Sequence, residues 1–347
     1  MYIYFEFEKD KGDEMSKIAV DIMGGDHAPD EIIKGCMMAI KDMNSTLVLV
    51  GKESVIKEKL SAYTYDETKI EIVNADEVIE MGEAPVMAVR RKKNSSMVIG
   101  LKLVKEKQVD AMVSAGSTGA LLTGATLLVG RIKGVDRPAM APFIPTQTGC
   151  SLLIDCGANV DAKPQYLEQF ARMGTVYVEE CLQVKNPKVG LVNIGTEEEK
   201  GNQLTKEAYK LLSECKDIHF YGNVEARDIP NGLVDILVCD GFTGNVILKF
   251  MEGFGKWLLG MIKTEFLKNI KTKIAALFMK QGISHIKAKF DVSTKGGAPF
   301  LGINGLVVKT HGSSKAQEIY STLIQTEGFI NDQLVEKIKA KFEENIK

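Results

Sequence analysis

The segment Ala111-Met112-Val113-Ser114-Ala115-Gly116-Ser117-Thr118-Gly119 joins a short apolar run to a turn of small residues, and a long apolar stretch follows. The apolar run predicts a buried β-strand, and the turn predicts the start of a helix. A strand that leads into a helix through a tight turn is the first half of a βαβ unit. This segment therefore favours an α/β protein.

The same pattern recurs at other predicted strands. Residues 18–22, 152–154, 189–194 and 236–238 are short apolar runs that end in turns of small or polar residues. Strands that alternate with helices predict a parallel sheet with both faces covered. We therefore expect a three-layer α/β/α fold with a mainly parallel sheet.

The sequence predicts one continuous domain over residues 15–347, because it contains neither an internal repeat nor a linker. Met15 stands just before the first predicted strand, which makes it a candidate native start. Residues 1–14 lack the basic and small-residue regions of a secretory signal. We predict that they are an extension outside the fold.

Composition and charge exclude several classes of protein. The 44 basic and 46 acidic residues give a net charge of −2, so the overall positive field typical of nucleic-acid binding is missing and we expect no nucleic-acid partner. Six cysteines occur without a C-x-x-C pair, which indicates reduced thiols and a cytoplasmic location. No apolar run reaches the roughly 18 residues of a membrane span.

The turns at the strand ends predict an anion site. Ligands of open α/β sheets bind at the carboxyl ends of strands, where helix N-termini present free N–H groups. Glycine allows the backbone to approach such a ligand closely. Any one turn alone would be only a good helix start, and it is their repetition that favours phosphate binding.

Other ligand motifs are missing from the sequence. It has no G-x-G-x-x-G after the first strand and no G-x-x-x-x-G-K-[ST], which disfavours nucleotide cofactors. The four histidines show no H-x-x-x-H spacing, so we predict no metal site. No G-x-S-x-G elbow occurs, although a Ser/His/Asp triad stays open. We expect no cofactor.

Several polar residues allow two interpretations. Lys200 is predicted at a helix start, where it is either a solvated lysine or a cation that reaches a phosphate, since an anion there would offset the unfavourable charge. His27 is either a catalytic group or a residue that holds its loop. Aspartates at strand ends either orient loops or bind a cation: Asp21, Asp26, Asp155 and Asp240.

Together these turns resemble the motifs of one family, the bacterial phosphate acyltransferases of phospholipid synthesis, which are acyl-[acyl-carrier-protein]:phosphate transacylases. The resemblance covers nearly the whole chain, with two departures: Ser117 stands where the family usually has Asn, and the N-terminal extension has no counterpart in the family. The motifs are Met23-Gly24-Gly25-Asp26-His27-Ala28-Pro29, Ser114-Ala115-Gly116-Ser117-Thr118-Gly119-Ala120, Asp155-Cys156-Gly157-Ala158-Asn159, Gly195-Thr196-Glu197-Glu198, Lys200-Gly201-Asn202, Gly222-Asn223-Val224-Glu225, Gly241-Phe242-Thr243-Gly244-Asn245 and His311-Gly312.

The resemblance implies roles for particular residues. Lys200 would neutralise phosphate or the departing thiolate, and Asn245 would donate its amide to the phosphate or to the thioester oxygen. The other residues that it implies shape or support the phosphate loops: Gly24, Gly25, Asp26, His27, Gly116, Ser117, Thr118, Asn159, Thr243 and His311.

The resemblance also implies a homodimer with a fold similar to isocitrate and isopropylmalate dehydrogenases and to phosphotransacetylase. The implied reaction moves a long-chain acyl group from acyl carrier protein to inorganic phosphate, and the acyl phosphate then passes to a membrane glycerol-3-phosphate acyltransferase. Two other enzymes on a similar fold stay open: a phosphotransacetylase that uses acyl-coenzyme A and a decarboxylating dehydrogenase.

A basic helical segment at residues 255–290 stands apart from the rest of the chain. Between residues 257 and 290 seven lysines face one acid, Glu265, beside an imperfect apolar stripe. Such a helix suits a dimer interface, an acidic carrier protein or an anionic membrane surface. A non-catalytic scaffold at the membrane surface is a further alternative.

Overall fold

Two β-sheets form the centre of the molecule, and helices pack around them. A computed structural model describes residues 15–290 and 296–343, so the predicted extension at residues 1–14 lies outside the described residues. The predicted three-layer α/β/α fold with mainly parallel strands is confirmed. The strands are β1 (Lys17–Asp21), β2 (Thr46–Gly51), β3 (Ile70–Asn74), β4 (Ala111–Ser114), β5 (Ala139–Met140), β6 (Phe143–Thr146), β7 (Gly149–Ile154), β8 (Lys188–Asn193), β9 (His219–Glu225), β10 (Ile236–Val238), β11 (Ala298–Leu301) and β12 (Leu306–Lys309).

Helices follow most strands, and polar caps fix where several of them begin. Ser95, Asn202 and Asp240 each accept a hydrogen bond from a backbone N–H in the first turn of the next helix. The helices are α1 (Asp30–Ala39), α2 (Glu53–Leu60), α3 (Pro85–Arg91), α4 (Ser96–Lys105), α5 (Thr118–Gly124), α6 (Pro164–Leu182), α7 (Gln203–Glu214), α8 (Gly241–Leu267), α9 (Ile270–Phe290), α10 (Ala316–Asn331) and α11 (Leu334–Glu343).

The larger sheet has seven strands in the order β3-β2-β1-β4-β12-β11-β5. Strands β1 to β4 and β12 are parallel, whereas β11 and β5 run antiparallel to their neighbours. Strands β1, β2, β4 and β12 are almost wholly buried, because helices cover both of their faces, whereas the edge strand β3 is partly exposed. Their carboxyl ends therefore meet at one edge of the sheet.

The smaller sheet has five strands in the order β6-β7-β10-β8-β9. Strands β7, β10, β8 and β9 are parallel, and β6 pairs antiparallel with β7. The loops after β7 and β8 and the N-terminus of α8, which follows β10, lie at the carboxyl ends of these strands.

The basic segment is helical where the structure describes it, as predicted. Its first helix, α8, begins at Gly241 rather than near residue 255, because Asp240 caps it. Large apolar side chains form an exposed stripe along α8, which we call the α8 stripe: Phe242, Val246, Phe250, Phe254, Trp257 and Met261.

Candidate functional site

The first group of predicted residues lies at the carboxyl ends of β1, β4 and β12. It occupies the loops at residues 22–29, 114–118 and 310–314, which we call the glycine-loop edge. The N–H of Asp26 in the first loop donates to the carbonyl of Gly312 in the third, at 2.8 Å. The loops are therefore joined to each other by backbone contacts as well as by the sheet.

Two of the predicted glycines are required by the close approach of these loops. A Cβ atom on Gly24 would lie 2.5 Å from Asp21 Oδ2 and 2.8 Å from the backbone nitrogen of Gly116. Gly25 has a φ of +105°, and a Cβ there would lie 2.8 Å from the Cβ of Ala115. The surface at this point is consequently made of backbone rather than of side chains.

A buried carboxylate supports the same loops. Ser114 Oγ donates to Asp21 Oδ2 at 2.7 Å, and the N–H of Gly116 donates to Ser114 Oγ at 3.0 Å. Burial raises the pKa of Asp21, against the lowering effect of hydrogen bonds from Ser96 and Ser114. These contacts favour the loop-orienting interpretation of Asp21.

The polar side chains of the glycine-loop edge differ in what they contact. Asp26 and His27 are exposed, so both can reach a ligand. Ser117 Oγ accepts from the N–H of Ala120 at 3.5 Å and caps α5, and Thr118 is the first residue of that helix. Ser117 thus has a structural contact that explains a hydroxyl at this position.

The second group lies at the carboxyl ends of the smaller sheet. We call the loops at residues 155–159 and 193–202, with the first turns of α8, the α8 edge. Asp155 is completely buried and accepts from the N–H groups of Met140 (2.9 Å) and Asn159 (2.6 Å). Burial raises the pKa of Asp155, and these hydrogen bonds oppose the rise.

Asn159 and Thr243, both predicted at the phosphate site, use their side chains within the α8 edge. Asn159 Nδ2 donates to the carbonyl of Pro138 at 2.8 Å and to Asp155 Oδ2 at 2.9 Å. Thr243 Oγ1 donates to Asp240 Oδ2 at 2.8 Å. Both side chains therefore hold loops in place.

Asn245 is exposed on the second turn of α8. Its side chain lies against Gly157, since a Cβ on that glycine would be 3.7 Å from Asn245 Oδ1. The loop after β7 and the start of α8 thus place the amide at the mouth of the α8 edge, where it can donate to a ligand.

Lys200 is exposed, but it does not lie at a helix start as predicted. Helix α7 begins at Gln203, because Asn202 is its N-cap and accepts from the N–H of Thr205 at 3.0 Å. Lys200 lies in the preceding turn, and its backbone carbonyl accepts from Asn193 Nδ2 at 3.1 Å. The charge conflict with the helix is therefore absent, and within the described ranges the ammonium group has no hydrogen-bond or ion-pair partner.

Helix α8 joins the two edges. Lys249, one turn beyond Asn245, has its Nζ 3.3 Å from His311 Nε2 and 3.1 Å from Glu252 Oε2. Because an ammonium group can only donate, this contact favours a neutral imidazole that accepts at Nε2. Burial and then the Lys249 charge lower the pKa of His311, which agrees with that state.

Two lysines of this site, Lys249 and Lys309, were not predicted from the sequence. Lys249 follows Asn245 by four residues, so helical spacing alone places both on one face of α8. Lys309 ends a buried strand and is itself only 6% exposed. The sequence did contain a signal for Lys309, because a lysine at the end of an apolar run is predicted at the carboxyl end of a buried strand.

Among the residues that the structure describes, no group of three or more histidine, cysteine or acidic residues is placed to hold a metal ion. None of their helices has the length and apolar character of a membrane span.

Comparison with known proteins identifies the family. The profile of the family described as "Fatty acid synthesis protein" matches residues 16–337. The phosphate acyltransferase of Alkaliphilus oremlandii is 50% identical over 322 residues, which cover 93% of this chain and 96% of that protein.

Two solved structures share the fold. A phosphotransacetylase from Streptococcus pyogenes matches with a TM-score of 0.61 and 19% identity, covering 93% of this chain and 94% of that one. The 4-hydroxythreonine-4-phosphate dehydrogenase of Klebsiella pneumoniae matches with a TM-score of 0.50 and 11% identity, covering 91% and 98%. The profile match and the 50% identity over most of the chain show that the protein belongs to the fatty acid synthesis protein family of phosphate acyltransferases.

Proposed function

We propose that the protein transfers a long-chain fatty acyl group from the thioester of acyl carrier protein to inorganic phosphate. The observation that carries the proposal is the meeting of the two edges at Lys249 and His311, 3.3 Å apart. Backbone loops of anion-binding type stand on one side of this contact, and exposed donors stand on the other. A dianion and a thioester carbonyl can be held together in such a place.

The reaction requires little from the protein beyond position and charge. A phosphate oxygen attacks the thioester carbonyl carbon, the C–O bond forms, and the C–S bond breaks to give acyl phosphate and the carrier thiolate, which then takes a proton. Phosphate is the nucleophile, so a strong general base is unnecessary. Donors aimed at the developing oxyanion supply the main acceleration.

Within this proposal each edge has its own part. The loops around Gly24, Gly25 and Gly116 hold the phosphate, supported by Asp26 and His27. Asn245 donates its amide to the thioester oxygen or to phosphate, and its placement beside Gly157 supports this role. Residues with internal contacts or a place beside these loops keep the shape of the site: Ser117, Thr118, Asn159, Thr243 and His311.

Lys200 is proposed to neutralise the phosphate or the leaving thiolate. An exposed lysine without a partner in the described part of the chain is free to pair with an anion that arrives from solvent. In this role it acts on the outer side of the site, where the carrier protein would approach.

The proposed partners follow from the reaction. Acyl carrier protein is the donor, and a membrane glycerol-3-phosphate acyltransferase consumes the product. The α8 stripe and the lysines of residues 255–290 are proposed to contact the second subunit of a homodimer, the acidic carrier protein or the inner face of the membrane.

The test is phosphate-dependent release of free thiol from acyl carrier protein thioesters of several chain lengths. Lys200→Ala and Asn245→Ala should each lower the rate by about a hundredfold, the scale of losing one electrostatic donor. Lys206→Ala, which removes an exposed lysine on α7, should leave the rate unchanged.

Three results would contradict parts of the proposal. Thiol release that does not depend on phosphate would remove the reaction itself. Much faster turnover of acetyl-coenzyme A would favour a phosphotransacetylase-like enzyme instead. Normal rates in both alanine variants would show that the catalytic groups lie elsewhere.

A further inference from the structure

Three polar residues form one buried row across the larger sheet. Asp21 of β1 pairs with Ser114 of β4, and Ser114 pairs with Lys309 of β12, so the three stand in register on neighbouring strands. All three are buried, with Asp21 2%, Ser114 1% and Lys309 6% exposed. Each is the last residue of its strand, directly beneath the glycine loops.

Lys309 contacts the backbone of two of those loops. Its Nζ donates to the carbonyl of Ala115 at 3.2 Å and also donates to the carbonyl of Thr310. Ala115 precedes Gly116, and Thr310 precedes His311. The ammonium group thus ties together the loops after β4 and β12 from below.

A charged lysine is an expensive choice for this position. Burying an ammonium group costs free energy that two carbonyl contacts offset only in part. An apolar side chain of similar length would fill the same space at lower cost. The charge itself therefore has a use that packing does not explain.

We propose that Lys309 is a positioning residue of the phosphate site, which fixes the glycine loops through Ala115 and Thr310 and supplies a buried positive charge beneath the bound anion. The inference rests on the proposed function for the identity of that anion. Unlike Lys200, this charge is held by the fold before any ligand arrives, so it needs no reorganisation on binding.

The protonation of Lys309 depends on its neighbours. Burial lowers its pKa to about 8, helped by Lys249 and opposed by the carboxylates of Asp21 and Asp26. These groups reach it from β1, from the loop after β1 and from α8, and His311 faces it from the loop after β12. Above about pH 8 the positive charge is lost, so the attraction for phosphate should weaken.

Lys69 provides a matched control. It also donates to two backbone carbonyls, those of Ile40 at 3.1 Å and Met43 at 2.7 Å, and it is half-buried. It stands just before β3, at the opposite end of the strands from the glycine loops. Lys69→Met therefore removes a similar contact without touching the site.

The experiment measures binding of inorganic phosphate by calorimetry between about pH 6.5 and about pH 9.5, a window that spans the lowered lysine pKa. The wild type should lose affinity as the pH rises through about 8. Lys309→Arg should keep its affinity through that window, because the guanidinium stays charged. Lys309→Met should bind about tenfold more weakly at neutral pH, without the loss near pH 8, and Lys69→Met should match the wild type.

The ionisation of phosphate is common to all the proteins, so it cancels in ratios to Lys69→Met. Equal affinities of the wild type and both Lys309 variants at every pH would overturn the inference. If Lys309→Met does not fold, as thermal melting would reveal, the phosphate affinities of the wild type and Lys309→Arg still test the inference. A wild-type affinity that shows no extra loss above pH 8 relative to Lys309→Arg would refute the inference.

Turnover measured on the same samples separates the two proposals. Lys309-dependent phosphate binding without acyl transfer would keep the inference and remove the proposed reaction. Phosphate-dependent acyl transfer, together with phosphate binding that does not depend on Lys309, would keep the proposed reaction and refute the inference.

Discussion

The glycine-loop edge and the α8 edge are built on the same plan, yet they present different surfaces. Each rests on a buried aspartate, Asp21 in the larger sheet and Asp155 in the smaller. At the glycine-loop edge the surface is largely backbone, brought close by glycines that leave no room for a side chain. At the α8 edge the predicted reactive side chains, Lys200 and Asn245, are exposed.

The difference shows that shape and chemistry are divided between the two sheets. A rigid backbone cradle suits a reactant that is small and highly charged. In the proposed reaction, exposed donors suit an acyl group that arrives on a carrier protein. The two edges meet at Lys249 and His311.

The largest expected effect concerns the two buried aspartates. Asp155 accepts four hydrogen bonds, three of them from backbone N–H groups. Asp21 accepts from Ser114 and Ser96 and from two backbone N–H groups, those of Met23 at 3.3 Å and of Gly24. Because a backbone donor cannot rotate away to another partner, Asp155→Ala should lower the free energy of unfolding by about 4 kcal/mol and Asp21→Ala by about 3 kcal/mol, measured by urea denaturation. Exposed Asp161 is the control, with a change of at most about 0.5 kcal/mol on mutation to alanine. Equal losses at the two aspartates would mean that the edges are supported alike.

A smaller effect is expected when the glycine loops are pushed apart. Gly24→Ala places a methyl group 2.5 Å from Asp21 Oδ2, so the loop must move. A shift of about 1 Å should lower phosphate-dependent turnover roughly a hundredfold. Gly82→Ala, where a Cβ has nothing within 4 Å, is the matched control and should be silent. Full activity of Gly24→Ala would show that the cradle is not a rigid backbone surface.

The smallest expected effect tests the contact between the edges. The imidazole of His311, followed by NMR, should titrate below its ordinary pKa of 6.5, and Lys249→Met should move that pKa back towards 6.5. Because the folded protein binds this proton less readily than the unfolded chain, His311 adds stability above about pH 6.5. That contribution is lost as the pH falls through the folded-state pKa. An unchanged His311 pKa in Lys249→Met would show that the two edges are not in contact in solution.

Much of the fold could be predicted from local sequence. Short apolar runs that end in small-residue turns mark β1, β4, β7 and β10, because buried parallel strands need apolar residues on both faces. The turns that contain Gly24, Gly25 and Gly116 were also predictable, because small residues directly after an apolar run indicate the end of a strand. The division of the strands into two sheets was not, since it depends on pairings between distant segments.

The candidate site was less predictable than the fold. The sequence places Lys200 near a helix start, but the cap at Asn202 shifts that start past it. The location of Lys309 and Lys249 at the site depends on which strand ends lie next to which helix. One sequence does not reveal that packing. Helical spacing could only have linked Lys249 to Asn245.

The long helix α8 has a mechanical consequence. Its 27 residues span about 40 Å, and Asn245 and Lys249 both lie near one end of this rod. A helix of this length is stiff, so a partner that binds the α8 stripe at Trp257 or Met261 can tilt the end that carries Asn245 and Lys249. A small tilt there would swing the amide and the ammonium group together against the glycine loops. In the proposed reaction, docking on the α8 stripe and alignment of Asn245 and Lys249 would thus be coupled through one helix.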